Sequence, residues 1–314
     1  MKTITLGESG LECSRFAYGC WRVTGVIHHP PIDEEHEKKS HESIKAAFDA
    51  GYTLFDLSDV DSDGLVEEVF GRTLKEVSGM RDRIVIATKC GIREKGDPDK
   101  DAPHRYDLSK EHITRSCEAS LKRMGVDCID LYQLHRPDYL MEQDEIAAAF
   151  ESLKQAGKVR EFGVSNFSVD QLDHLQAACP MKLHCNQVEI SLIHYDALED
   201  GSLDYYQRHD ITPLAWSPLA QGKLGSEYPV SLRNPNHSQE QTIRDALHLV
   251  AKEEECSPTV VALAWLLRHP AGIVPIIGST NPEHIRDAAR AVDLDLSREE
   301  WYRLMTAAVG QPLP

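Results

Sequence analysis

The sequence predicts an α/β fold, a single (β/α)8 TIM barrel over residues 1–314 with an N-terminal β-hairpin. Three observations carry this. Short apolar runs recur eight times: Phe16–Gly19, Thr53–Asp56, Ile84–Lys89, Asp130–His135, Glu161–Ser165, Asn186–Ile190, Thr212–Trp216 and Ile273–Ile277. Helix-like segments separate them, which implies parallel strands with helical crossovers. No G-x-G-x-x-G follows a strand, and the eightfold count favours a closed ring over an open doubly wound sheet.

In chain order, residues 2–18 read as KTITL, a GESG turn and LECSRFAYG, the pattern of a hairpin. Helical stretches follow at 34–50, 64–77, 109–124, 142–156, 168–177, 200–208, 238–254, 258–268 and 281–291, with a last one at 297–308. Ser109 and Ser168 open two of them as N-caps, and Ser297 has Glu300 at capping-box spacing. The stretches Ile92–Asp107 and Gln221–Ser238 are rich in Gly, Pro and charge, and read as loops at the barrel mouth. Neither has the look of a domain boundary.

The net charge of −17 argues against nucleic acid or an anionic membrane as a main partner. It leaves room for a phosphate-bearing ligand held by backbone amides. The eight cysteines are scattered without a CxxC or zinc spacing, which predicts reduced thiols in a cytoplasmic protein. No apolar run has the length of a membrane span. His28, His29, His36 and His41 lack a metal-ligand spacing, and EEHEKKSHE reads as a solvated helix face. The turn Asp59–Gly64 has the alternate acids of a calcium loop (D-x-D-x-D-G). The twelfth position, which should hold a bidentate Glu, is Phe70. No metal is therefore expected.

A barrel enzyme builds its site at the C-terminal ends of the strands. Those ends carry Trp21, Asp56, Lys89, His135, Ser165 with Asn166, Gln187 with Glu189, Trp216 with Ser217, and Ser279. Singly, each has a structural explanation: a core histidine, an exposed strand-end lysine, a core tryptophan. Together, Asp56, Lys89 and His135 end three successive strands, within reach of one another. A lysine aimed into a barrel mouth needs a carboxylate partner, and a histidine beside it can polarise a carbonyl.

The segments GYTLFD with EEVFG, IVIATK, LYQLHRPD, AGKVREFGVSNFS, NQVEIS, LAWSPL and PIIGSTNPEHI resemble the aldo-keto reductase superfamily over nearly the whole chain. The resemblance implies an oxidoreductase that uses NADP(H), with NAD(H) second, and acts on a small-molecule carbonyl or alcohol. It implies that Asp56, Lys89 and His135 are three of four catalytic residues. Ser165, Asn166 and Gln187 match the residues that hold the nicotinamide carboxamide, and Trp216 matches the aromatic that stacks on the ring. Ser217 and Leu219 match pyrophosphate contacts. Ser279, Thr280 and His284 match the 2′-phosphate corner, with Trp21 at the mouth. Gly278 stands where a lysine often precedes that serine, and Arg286 lies near the position of a missing arginine. The family's fourth catalytic residue, a tyrosine five residues after the aspartate, is Asp61 here. Asp61 therefore implies impaired or altered chemistry, with a nucleotide-binding pseudoenzyme or sensor as the alternative.

Overall fold

The computed structural model describes residues 1–25, 32–226 and 237–313. His28, His29 and most of the loop 221–238 fall outside these residues. The strands in chain order are β1 (Thr3–Thr5), β2 (Glu12–Ser14), β3 (Ala17–Gly19), β4 (Leu54–Asp56), β5 (Val85–Cys90), β6 (Ile92–Arg93), β7 (Arg105–Tyr106), β8 (Ile129–Leu134), β9 (Val159–Ser165), β10 (Leu183–Glu189), β11 (Thr212–Trp216) and β12 (Val274–Ile277). The helices are α1 (Glu34–Asp49), α2 (Leu65–Glu76), α3 (Lys110–Met124), α4 (Gln143–Gln155), α5 (Val169–Ala178), α6 (Ser202–Arg208), α7 (His237–Glu253), α8 (Pro258–Leu267), α9 (Pro282–Ala289) and α10 (Arg298–Val309).

Strands β3, β4, β5, β8, β9, β10, β11 and β12 form a closed parallel barrel in that order, and β12 pairs back onto β3. All eight sequence-predicted strands are present, and no end is displaced by more than three residues. Every residue of β4, β5 and β8 is buried, as expected of strands covered on both faces. The predicted caps also form. Ser109 accepts from the His112 amide, and Ser168 and Ser297 both close capping boxes.

The hairpin pairs β1 with β2, Thr3 opposite Ser14, and ends before β3. Its Leu6, Leu11 and Cys13 pack on an inward layer of the barrel that includes Ala17, Leu54, Val85, Leu131, Leu214 and Val274. Burying that layer at the N-terminal end of the strands leaves the opposite end as the open mouth. A second apolar layer lies between the strands and the helices, where Phe150 stacks on Phe162 at 4.1 Å.

Two expectations need correction. The segment Ile92–Asp107 contains a short antiparallel ribbon of β6 and β7, with Ile92 opposite Tyr106. His41 is not on a solvated face. Its Nδ1 lies 2.7 Å from Thr73 Oγ1, between α1 and α2, and the neighbouring Ser40 is fully buried. Among the described residues, no helix is long and apolar enough to cross a membrane.

Candidate active site

Asp56 is the last residue of β4, and Lys89 comes one residue before the end of β5. Parallel pairing brings their side chains together over the mouth. Lys89 Nζ donates to Asp56 Oδ1 at 2.7 Å and to the Leu57 carbonyl at 2.7 Å. Asp56 Oδ1 also accepts from Gln187 Nε2 on β10 at 3.0 Å and from Gln133 Nε2 on β8 at 3.5 Å. The sequence did not single out Gln133. Its signal was available, because Gln133 lies two residues before His135 and so shares an inward face with it.

The strand ends of β8 to β11 are joined by a second chain of hydrogen bonds. Ser165 Oγ donates to the Gln187 carbonyl at 3.0 Å. Asn166 Nδ2 donates to Ser165 Oγ at 2.8 Å and to the His135 carbonyl at 3.2 Å. Trp216 Nε1 donates to Asn166 Oδ1 at 3.0 Å. Asn166 adopts a left-handed backbone, φ 60°, which Asn tolerates better than most residues. The structure thus brings Asp56, Lys89, His135, Ser165, Asn166, Gln187 and Trp216 into one connected site.

His135 sits just past β8 with its Nδ1 buried and without a hydrogen-bond partner. Burial, and then the positive charges of Lys89 and Arg136, hold its pKa well below the usual imidazole value. The ring is therefore neutral at pH 7, with one N–H to donate.

Asp61 belongs to a tight turn after β4. Ser62, Asp63 and Gly64 all have positive φ, at 49°, 55° and 87°. Ser62 Oγ lies 2.9 Å from Thr24 Oγ1, which ties the turn to the segment after β3. Glycine suits Gly64 because of its left-handed backbone, and a Cβ there would press on the Arg123 side chain at 2.8 Å. Burial raises the Asp61 carboxyl to about 6, against the opposing pull of Lys89, and the Asp56 charge adds to the rise. Asp59, two residues earlier, was noticed in the sequence only as part of the calcium pattern. Burial, followed by the charge of Glu67, raises it to about 8, and its Oδ1 has no hydrogen-bond partner. Glu67 is fully buried and is held by Thr88 Oγ1 at 2.6 Å and Arg123 Nε at 2.7 Å.

Beside this site lies a cavity of about 650 Å³. Trp21, Ser217, Leu219, Ser279 and His284 line it, together with Arg22, Gly278, Glu283 and Asp287. The Tyr18 hydroxyl donates to the Ser279 carbonyl at 3.1 Å and fixes that edge. Thr280 is exposed, next to Ser279 at the edge of the cavity. Arg286 is exposed as well. It follows His284 by two residues and so points to another side of α9.

The aldo/keto reductase family model matches residues 15–308. A 6-dehydroglucose reductase of Agrobacterium fabrum is 38% identical over 313 residues, covering 99% of each chain. Oxidoreductase YdhF of Escherichia coli is 38% identical over 316 residues, covering all of both chains. A glycerol dehydrogenase structure from Gluconobacter oxydans superposes with a TM-score of 0.85 at 27% identity, over 99% of this chain and 97% of that one. An eight-stranded barrel of this topology, matched over its whole length by these oxidoreductases, places the chain in the aldo/keto reductase family.

Proposed function

We propose that the chain is a nicotinamide-nucleotide-dependent oxidoreductase interconverting a small carbonyl compound and its alcohol, with Asp61 in the place of the family's tyrosine. One observation carries this: the hydrogen-bonded set from Lys89 through Asp56 and Gln187 to Asn166 and Trp216 opens beside a cavity of about 650 Å³. That volume suits a small-molecule or cofactor site. The polar groups around it suit a dinucleotide, with amides and a hydroxyl near the indole at one end and Ser279 and His284 at the other.

When bound, the nucleotide supplies the hydride. Ser165, Asn166 and Gln187 present hydroxyl and amide groups suited to a carboxamide, and Trp216 offers a ring face for stacking. Gln187 Nε2 gives one of its two N–H groups to Asp56, which leaves the other and Oε1 for a ligand. Ser217 and Leu219 also line the cavity. Neutral His135 can hold the substrate oxygen by a hydrogen bond without giving up a proton. Asp61 is the proton donor, and its carboxyl at about 6 is protonated in roughly a tenth of molecules at pH 7. Carbonyl reduction is accordingly expected to slow as pH rises above about 6. The names of the relatives, a 6-dehydroglucose reductase and a glycerol dehydrogenase, support a polyhydroxylated substrate.

The test follows oxidation of NADH and NADPH with aldehydes and keto sugars, and reduction of the oxidised nucleotides with polyols. Turnover that Lys89→Met abolishes supports the proposal. Nucleotide binding with no turnover across the panel, even in Asp61→Tyr, would instead favour a nucleotide-binding protein without reductase chemistry. If neither nucleotide bound at millimolar concentration, the whole assignment would fall.

A further inference from the structure

We propose that this chain selects the nucleotide lacking the 2′-phosphate, NAD(H), and that Gly278, Trp21 and Glu283 make the choice. The inference rests on the nucleotide-binding proposal above and concerns only the adenosine end of the cavity. The family resemblance implies the phosphorylated nucleotide first; three features of this corner point the other way.

The first is the space at Gly278. This residue follows β12 directly, and a side chain there would begin 3.0 Å from Trp21 Nε1. The indole lies over the point from which a basic side chain would project. Trp21 itself is half exposed, and the guanidinium of Arg22 stacks on it at 4.4 Å.

The second is the start of α9. Pro282 has no N–H to offer. The Glu283 amide donates to Asn281 Oδ1 at 2.9 Å, and the Asn281 amide to Ser279 Oγ at 3.2 Å. Three of the groups a phosphate would use at a helix start are therefore absent or already taken.

The third is charge. The acidic residues Glu283 and Asp287 both line the cavity. Asp287 is compensated, since it accepts from Ser257 Oγ at 2.5 Å and faces Arg290 at 3.2 Å. Among the described residues, no cation forms an ion pair with Glu283. A 2′-phosphate would meet that charge, whereas a ribose 2′-hydroxyl can donate to it. Acidic side chains distinguish the two nucleotides in this way in dinucleotide sites of other folds.

The test is direct binding, by quenching of tryptophan fluorescence and by calorimetry. NADH is expected to bind about tenfold more tightly than NADPH, a difference of about 1.4 kcal/mol. Glu283→Gln is expected to tighten NADPH at least threefold relative to NADH (~0.65 kcal/mol). Gly278→Lys is expected to help NADPH more when Trp21→Ala accompanies it than alone. NADPH binding as tightly as NADH to the unaltered protein would overturn the inference. An unchanged ratio in Glu283→Gln would remove Glu283 from it and overturn the proposal as stated. Failure of both nucleotides to bind is a different result, and overturns the nucleotide assignment itself.

Discussion

Lys89 and Asp56 form an ion pair across neighbouring strands, 2.7 Å apart, with only 5% and 9% of their side chains exposed. Removing one member of a buried pair strands the other charge, at a cost of roughly 3–5 kcal/mol. Lys89→Met is therefore expected to lower the denaturant midpoint by a corresponding amount. The double variant Lys89→Met with Asp56→Leu should recover part of the loss. A single variant as stable as the unaltered protein would show that the pair contributes nothing net.

Replacing the proton donor should change the rate and leave binding alone. Asp61→Tyr is expected to raise carbonyl reduction at least about tenfold, or ~1.4 kcal/mol of barrier, with the nucleotide dissociation constant within about twofold. The comparison is kcat against a binding titration on the same preparation. An unaltered protein that already works at ordinary enzyme rates, with Asp61→Tyr slower, would make Asp61 part of a fully competent site.

The same residue sets a pH dependence. Protonated Asp61 is the donor, so the reduction rate should rise as pH falls through about 6. His135 does not confuse this limb, because its pKa lies well below the usual imidazole value. Asp61→Asn should flatten the profile in that window. A limb that persists in Asp61→Asn would assign the proton to another group.

Asp59 offers a stability test with the opposite logic from most carboxylates. Its folded pKa is raised to about 8, above the unfolded value near 3.9. The folded state thus binds a proton that the unfolded chain has released. The associated stability is fully present below pH 4 and is lost as pH rises through 8. Asp59→Asn should remove this loss and raise the melting temperature at pH 8.5 by about 2–4 °C, with less gain at pH 5. Equal effects at both pH values would show that Asp59 does not titrate there.

Asn166 joins β8, β9 and β11 through its amide, and its backbone is left-handed. Asn166→Ala loses these hydrogen bonds and leaves the Trp216 indole without its acceptor. Nucleotide binding is expected to weaken about tenfold, of the order of one good hydrogen bond, with a shift in tryptophan emission. Unchanged affinity would remove Asn166 from the binding role.

The barrel was legible because each strand is a short apolar run bounded by polar punctuation, and because polar residues recur at one end of those runs. The set Asp56, Lys89, His135, Ser165, Asn166, Gln187 and Trp216 came from that pattern, and the structure joins it in space. What stayed hidden depends on contacts between distant segments. Nothing near Gly278 shows that Trp21, 257 positions earlier, lies against it. Nothing near Asp59 shows that Glu67 is buried beside it. The β6–β7 ribbon escaped because each arm has only two residues, too few to show a period. The bond from Gln187 to Asp56 was hidden too, since a strand-end glutamine can serve a ligand or a neighbour equally well.

The pairing of Ile276 with Ala17 closes the ring, and it has a consequence for synthesis. The last strand leaves the ribosome only after residue 277 of 314 has been made. Until then the open edge of β3 has no permanent neighbour on that side. At typical elongation rates the interval is on the order of tens of seconds. A fully buried strand left bare for that long is an invitation to pair with another nascent chain. The yield of soluble protein should therefore depend on what shields β3 during translation, and slowing codons downstream of β11 should lower it.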